Sequence, residues 1–301
     1  MTTTLPVIPL ASRDNAAVST TDPEAPSHPP AAAARPGPRR TTERSSLFVG
    51  STEKAFQVLE AFDGPHRHMT LAEIARAAEL DRSATQRLVY TLEKLGYLQR
   101  LPDSLLYGLT SKVLRLSYNY LRAHALIDKA SPYLLDISRT LGETTNLQEL
   151  DGSDIVFVAR FPGRHLVNVD FAVGSRLPAV FTASGTAILS RLAPAERLAL
   201  LQRTPLNPIT PYTELDPPKL LARMQTAAER GYAMVMNETV LGDISVAAPI
   251  TNHRGEAVAA INISVPTTRW SWESAEAKLV PHVQVAATSI SQAKFAGYEA
   301  K

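Results

Sequence analysis

Apolar positions first fall into a helical rhythm just after Phe48. In "STEKAFQVLEAF" (51–62), Ala55, Val58, Leu59 and Phe62 recur at spacings of three and four, so they share one helical face until "DGP" (63–65) stops the helix. Thr70 followed by Glu73 is a capping-box pattern, and Leu71, Ile74, Ala75 and Ala78 form the apolar stripe behind it. Asp81 is the expected N-cap of a third helix that runs to about Leu95, with Gly96 as its stop. "YLQR" (97–100) and "LLYGL" (105–109) read as two short strands about the turn "LPDS". Three helices followed by a hairpin make residues 47–110 a winged helix-turn-helix.

Residues 111–124, "SKVLRLSYNYLRAH", predict one amphipathic linker helix with Val113, Leu114, Leu116 and Leu121 among its apolar residues, and a second helix follows from Ile127 to Leu141. Further on, "IVFVARF", "LVNVDFAV", "YAMVMN", "ISVAAPI" and "AVAAINISV" carry the β-branched and aromatic residues of strands. "ASGTAILSRL", "PAERLALLQR", "PPKLLARMQTAAERG" and the stretch from Trp272 to about Phe295 read as helices. Residues 125–297 therefore predict a mixed α/β domain with a largely antiparallel sheet covered by helices, and an α+β chain as a whole.

Composition changes this picture at the N-terminus. Residues 1–46 contain eight of the chain's 22 prolines and no aromatic residue, which predicts a disordered tail. Its Arg35, Arg39, Arg40 and Arg44 serve either as a phosphate-brushing arm or only as solvated charge. The 301 residues hold 45% hydrophobic residues and 20% charged ones, with no Cys, so disulfides, thiol catalysis and Cys-bound zinc are excluded. No apolar run is long enough to span a bilayer and no signal-peptide pattern opens the chain; a soluble cytoplasmic protein is expected.

The third helix carries the candidate chemistry. With Arg82 at zero and about 100° per residue, Gln86 falls near 40°, Tyr90 near 80°, Ser83 near 100° and Arg87 near 140°. Ala84, Leu88, Leu92 and Leu95 occupy roughly 200–280° on the same wheel. Guanidinium groups fork onto guanine O6 and N7, a glutamine amide onto adenine N6 and N7, and hydroxyls onto phosphate. Arg82, Gln86 and Arg87 are thus candidates for reading base edges, and Ser83, Thr85, Tyr90 and Arg100 for fixing the backbone. Charge tempers this: residues 47–110 carry seven Lys/Arg against eight Asp/Glu, whereas 81–100 carry four against two. The basic face is local, so several protomers must act together, or else the winged helix docks a protein rather than DNA.

Enzyme signatures are missing from the sequence. The seven His show no HExxH or HxxxH spacing, "TASGTA" lacks the GxSxG elbow, and neither a GxxxxGK[ST] nor a GxGxxG loop occurs. His66 and His68 read as polar loop residues in preference to metal ligands. No cofactor is expected.

"FVGSTEKAFQVLEAF", "MTLAEIARAAELDRSATQRLVYTLEKLGYL" and "YGLTSKVLRL" resemble the winged helix-turn-helix of the IclR family of bacterial transcription regulators. The resemblance continues through "VGSRLPAVFTASGTAILSRL" (173–192) and "RGYAMVMNETVLGDISVAAPITNHRGEAVAAINISVPTTR" (230–269), with Gly231, Glu238 and Gly242, and covers about residues 48–297. It implies a promoter-DNA-binding homodimer or dimer of dimers. It also implies a C-terminal GAF-like effector domain that binds a small organic acid or aromatic carboxylate. The family's effector pocket falls here on Ala183, Ser184, Val235, Ser245, Asn262 and Ser264. Ser184 and Gly185 would open a helix whose free N–H groups hold an anion, and Asn262 and Ser264, two apart on one strand, would point the same way. Val235 stands where some relatives carry an acidic residue, which favours a ligand less polar than the smallest keto acids.

Overall fold

The computed structural model describes residues 45–63, 66–164 and 171–292. Most of the Pro-rich tail, most of "LVNVDFAV" and the end of the last expected helix fall outside that range.

The N-terminal domain forms because three short helices each bury one stripe. α1 (Gly50–Glu60) contributes Val58, α2 (Leu71–Ala77) contributes Ile74, and α3 (Arg82–Lys94) contributes Val89 and Leu92 to one small core with Met69 and Leu98. Thr70 and Glu73 close a reciprocal cap on α2: Thr70 N donates to Glu73 Oε2 (2.8 Å) and Glu73 N to Thr70 Oγ1 (3.4 Å). The turn into α3 passes through Glu79 at φ 55°, a left-handed conformation that an L side chain resists. The wing has one strand more than its sequence suggests. β1 (Met69–Thr70) pairs with β3 (Leu106–Leu109), which also pairs with β2 (Leu98–Arg100). Two residues are too few to show an alternating pattern, and Thr70 doubles as a helix cap.

The linker is not one helix. A 3₁₀ turn (Ser111–Val113) leads into α4 (Leu114–Ala123), and His124 adopts an extended conformation before α5 (Ala125–Leu141). Lys112 begins the linker by donating to Leu95 O (2.6 Å) and lying over the Tyr97 ring.

The C-terminal domain is built on β4 (Thr144–Asp151), β5 (Asp154–Phe161), β6 (Arg176–Pro178), β7 (Ala233–Met236), β8 (Asp243–Thr251) and β9 (Ala257–Pro266). They pair antiparallel in the order β6-β5-β4-β9-β8-β7. α5 and α9 (Trp272–Gln292) cover one face around Leu134, Leu147, Ile261, Ile263 and Leu279. α6 (Ala183–Leu189), α7 (Pro194–Arg203) and α8 (Pro217–Arg230) cover the other around Phe181, Ile188, Leu220 and Met224. β4, "TTNLQELD", was not expected as a strand, yet it lies in the middle of the sheet. Among the described residues no helix is long and apolar enough to cross a membrane.

α6 packs so closely that a Cβ on Gly185 would lie 2.0 Å from Ala179 O. Gly185→Ala is therefore expected to destabilise the protein by about 3 kcal/mol, since a backbone carbonyl cannot step aside. Glu79→Gly should stabilise it by about 1 kcal/mol by relieving the left-handed backbone; denaturant titration of both variants checks the pair.

Candidate DNA-reading helix and effector cavity

α3 is anchored by Asp81, whose carboxylate accepts from Ala84 N (2.8 Å). That backbone hydrogen bond holds the Asp81 pKa below its ordinary value. Helical geometry then sorts the following residues. Arg82, Ser83, Gln86, Arg87 and Tyr90 are exposed together, while Ala84, Val89 and Leu92 are buried. Two expectations fail here. Thr85 is fully buried, and its hydroxyl donates to Asp81 O (2.8 Å), so it does not reach a phosphate. Its place on the wheel, near about 300°, borders the apolar sector rather than the polar one. Leu95, read as part of the packed face, is half exposed because it is the C-cap where the helix ends. Arg100 stands exposed on the wing with its Nε donating to Ser104 O (2.9 Å).

All six residues carried onto the effector pocket line one recess beneath α6 and the strands. The space among these residues, open solvent at the mouth included, is about 500 Å³. Sheet register explains the convergence. Ser245, Asn262 and Asn146 project from the same face of adjacent strands, because Asn146 pairs with Asn262 and Ser245 with Ser264. A bulge in the β4–β5 pairing, where Leu147 faces Ala159 but Gln148 faces Phe157, lets Phe157 and Arg160 share that face despite being three residues apart. The polar groups then form a relay across four strands. Arg160 Nη1 donates to Asn146 Oδ1 (3.0 Å), Asn146 Nδ2 to Asn262 Oδ1 (2.6 Å), and Asn262 Nδ2 to Ser245 Oγ.

The far wall is apolar: Phe157 and Phe171 have ring centroids 5.0 Å apart, beside Leu177, Ala183 and Val235. The recess thus pairs an aromatic wall with a polar floor carrying Arg160. Glu238 also lines it, but its carboxylate takes a hydrogen bond from Arg223 Nη1, which cancels its charge. Of the groups expected to hold an anion at the start of α6, the Gly185 N–H and the Ser184 hydroxyl already have partners. Gly185 N already donates to Thr182 Oγ1 (2.9 Å), and the Ser184 hydroxyl donates to Gln148 Oε1. Arg160, Asn146, Gln148 and Asp243 were not foreseen. Arg160 interrupts the apolar run "IVFVARF", which was an available signal, whereas Asn146 and Gln148 lie in the mostly polar "TTNLQELD".

Asp243 opens β8 at the edge of the recess, where its Oδ1 accepts from the Ser264 hydroxyl. Burial pushes its carboxyl up to about 7, although Ser264 and the Arg160 charge pull the other way. A second recess, reaching Glu143 and Arg269, shares Arg160, Asp243 and Ser264 with the first. There Arg269 Nη2 donates to both Glu143 oxygens (2.8 and 2.9 Å). On the opposite side of β4, Glu149 accepts from the Tyr120 hydroxyl (2.6 Å) and pairs with His124 Nε2 (3.0 Å), so the end of α4 is held by the strand that carries Asn146 and Gln148. His66 pairs with Asp63 (2.7 Å), and no group of three or more metal-ligating acidic, His or Cys side chains occurs among the described residues.

The raised Asp243 pKa has a stability consequence. Folding favours its protonated form, so its contribution is complete below the ordinary value of 3.8 and is lost as pH rises from there towards 7. Asp243→Asn should therefore raise the melting temperature more at pH 8 than at pH 5, by an amount that grows through that window and is constant above it. Thermal denaturation at several pH values reads this directly.

Known proteins share both halves of this architecture. The family profile described as the bacterial transcriptional regulator IclR C-terminal matches residues 118–292, and the IclR helix-turn-helix domain matches 51–102. A Pca regulon regulatory protein of Pseudomonas putida is 34% identical over 249 residues, 82% of this chain and 85% of that protein. A solved Rhodococcus sp. RHA1 structure described as a transcriptional regulator superposes with a TM-score of 0.70 at 35% identity, covering 81% of this chain and 98% of that one. An IclR homologue from Microbacterium hydrocarbonoxydans, solved in complex with 4-hydroxybenzoate, superposes with a TM-score of 0.67 at 25% identity over 80% and 97%. With both domains matched in order and a relative 34% identical over 82% of this sequence, the chain belongs to the IclR family of DNA-binding transcriptional regulators.

Proposed function

We propose that this regulator controls genes of aromatic-acid catabolism and senses an aromatic carboxylate in the recess beneath α6. The observation that carries this reading is the pairing of the Phe157–Phe171 wall with the floor on which Arg160, Asn146 and Asn262 are linked. A ring stacks or slides against the first. A carboxylate finds charge-assisted donors on the second. The relatives support the same class, since one is named for the Pca regulon and another was solved with 4-hydroxybenzoate.

At the DNA, Arg82, Gln86 and Arg87 read base edges in the major groove, while Ser83, Tyr90 and Arg100 meet the backbone. The chain works as a homodimer or dimer of dimers in the cytoplasm. α4 supports this, because Leu114, Leu116, Tyr118 and Tyr120 are between 47% and 63% exposed in the single chain. Pairing also supplies the phosphate contacts that one weakly basic domain lacks. Ligand acts by favouring one of two arrangements of the linker, since only unequal affinity for the two shifts DNA binding.

Arg82→Ala/Arg87→Ala is expected to weaken binding to a duplex from the protein's own upstream region by about 30-fold or more, at about 1–3 kcal/mol per bidentate contact. Wild-type binding should fall steeply between 50 and 200 mM salt. Fluorescence anisotropy measures both, and unchanged affinity in the double variant removes α3 as the reader. Tyr120→Phe and Glu149→Gln loosen the hold of β4 on α4. Each should shrink the effect of ligand on DNA affinity at least threefold while calorimetry finds ligand affinity within twofold of wild type.

A further inference from the structure

The aromatic-carboxylate reading leaves open which second substituent the recess accepts, and the placement of Asp243 bears on that. Among the described residues lining the recess, Arg160 is the one cation and, with Glu238 neutralised by Arg223, Asp243 is the one acid without a basic side chain bonded to it. Their strands are separated by β4 and β9, so a ring lying along the floor meets a cation towards one side and a carboxyl towards the other. The Ser264 hydroxyl occupies one Asp243 oxygen and fixes the group in place. We propose that Asp243 is the specificity-determining residue of this regulator, accepting a hydroxyl from a hydroxy-substituted aromatic carboxylate whose carboxylate lies at Arg160, and turning away ligands that carry a second carboxylate at that point.

This rests on the aromatic-carboxylate reading and narrows it. A hydroxyl donating to a carboxylate makes a short, charge-assisted hydrogen bond, and a half-buried acceptor oxygen left without its donor penalises the unsubstituted ring. A second carboxylate instead sets two like charges in contact where burial already disfavours one. The groups facing Asp243 are Ser264 on β9 and the Arg160 charge from β5; Glu238, on the segment before β8, is held by Arg223 from α8. The carboxyl of Asp243, raised to about 7, gains acceptor strength as it ionises, so preference for the hydroxyl should grow between pH 6 and pH 8.

Calorimetry on the full-length protein with benzoate, 3- and 4-hydroxybenzoate and benzene-1,4-dicarboxylate tests the proposal. Wild type should bind the better hydroxybenzoate at least tenfold more tightly than benzoate and reject the dicarboxylate. In Asp243→Leu that ratio should collapse towards one. Asp243→Asn, which keeps the shape and the Ser264 contact, should gain at least tenfold for the dicarboxylate and lose the pH dependence of the ratio. A wild-type protein that binds benzoate and hydroxybenzoates equally overturns the assignment of Asp243 alone, as does an Asp243→Leu protein that retains the preference. A wild-type protein that binds no aromatic carboxylate overturns the ligand class and this proposal with it.

Discussion

The effector domain depends on one constraint: polar side chains placed in the middle of a sheet must be hydrogen-bonded to one another or to a ligand. Asn146 and Asn262 are almost fully buried, and an amide left without partners there costs about 1–3 kcal/mol. The relay from Arg160 to Ser245 meets that demand across four strands and leaves a polar floor open under α6. Everything else about the cavity follows from keeping that floor uncovered. α6 packs on one border through Gly185, and the bulge in the β4–β5 pairing turns Arg160 inward.

The same strand gives the floor a mechanical meaning. Successive residues of β4 face opposite ways, so Gln148 meets Ser184 in the cavity while Glu149, next in the chain, receives Tyr120 and pairs with His124 behind it. His124 is also where α4 gives way to α5, which makes it a place for the linker to change direction. The recess and the end of α4 thereby meet on the two faces of one strand.

Much of the N-terminal domain was legible residue by residue. Asp81, Thr70 with Glu73, and Gly96 marked helix ends because capping is local chemistry, satisfied within three or four residues. The exposed row Arg82, Ser83, Gln86, Arg87 and Tyr90 followed from helical geometry once those ends were known. Thr85 was misplaced because a hydroxyl on the border of the apolar sector is indistinguishable in sequence from one on the polar face. β4 was missed for a related reason: Thr, Asn, Gln and Glu carry no strand signature when a strand is polar on the side that lines a cavity.

Local pattern by itself determined the helix-turn-helix, its exposed polar face and the alternation of strands and helices downstream, since hydrophobic periodicity and caps act over a few residues. Tertiary structure alone decided which polar residues meet. Arg160, Asn146, Asn262 and Asp243 lie up to 116 residues apart where they bond directly, as Asn146 does to Asn262. Only sheet register and a one-residue bulge, set by long-range pairing rather than by neighbours in the chain, bring them to a common floor.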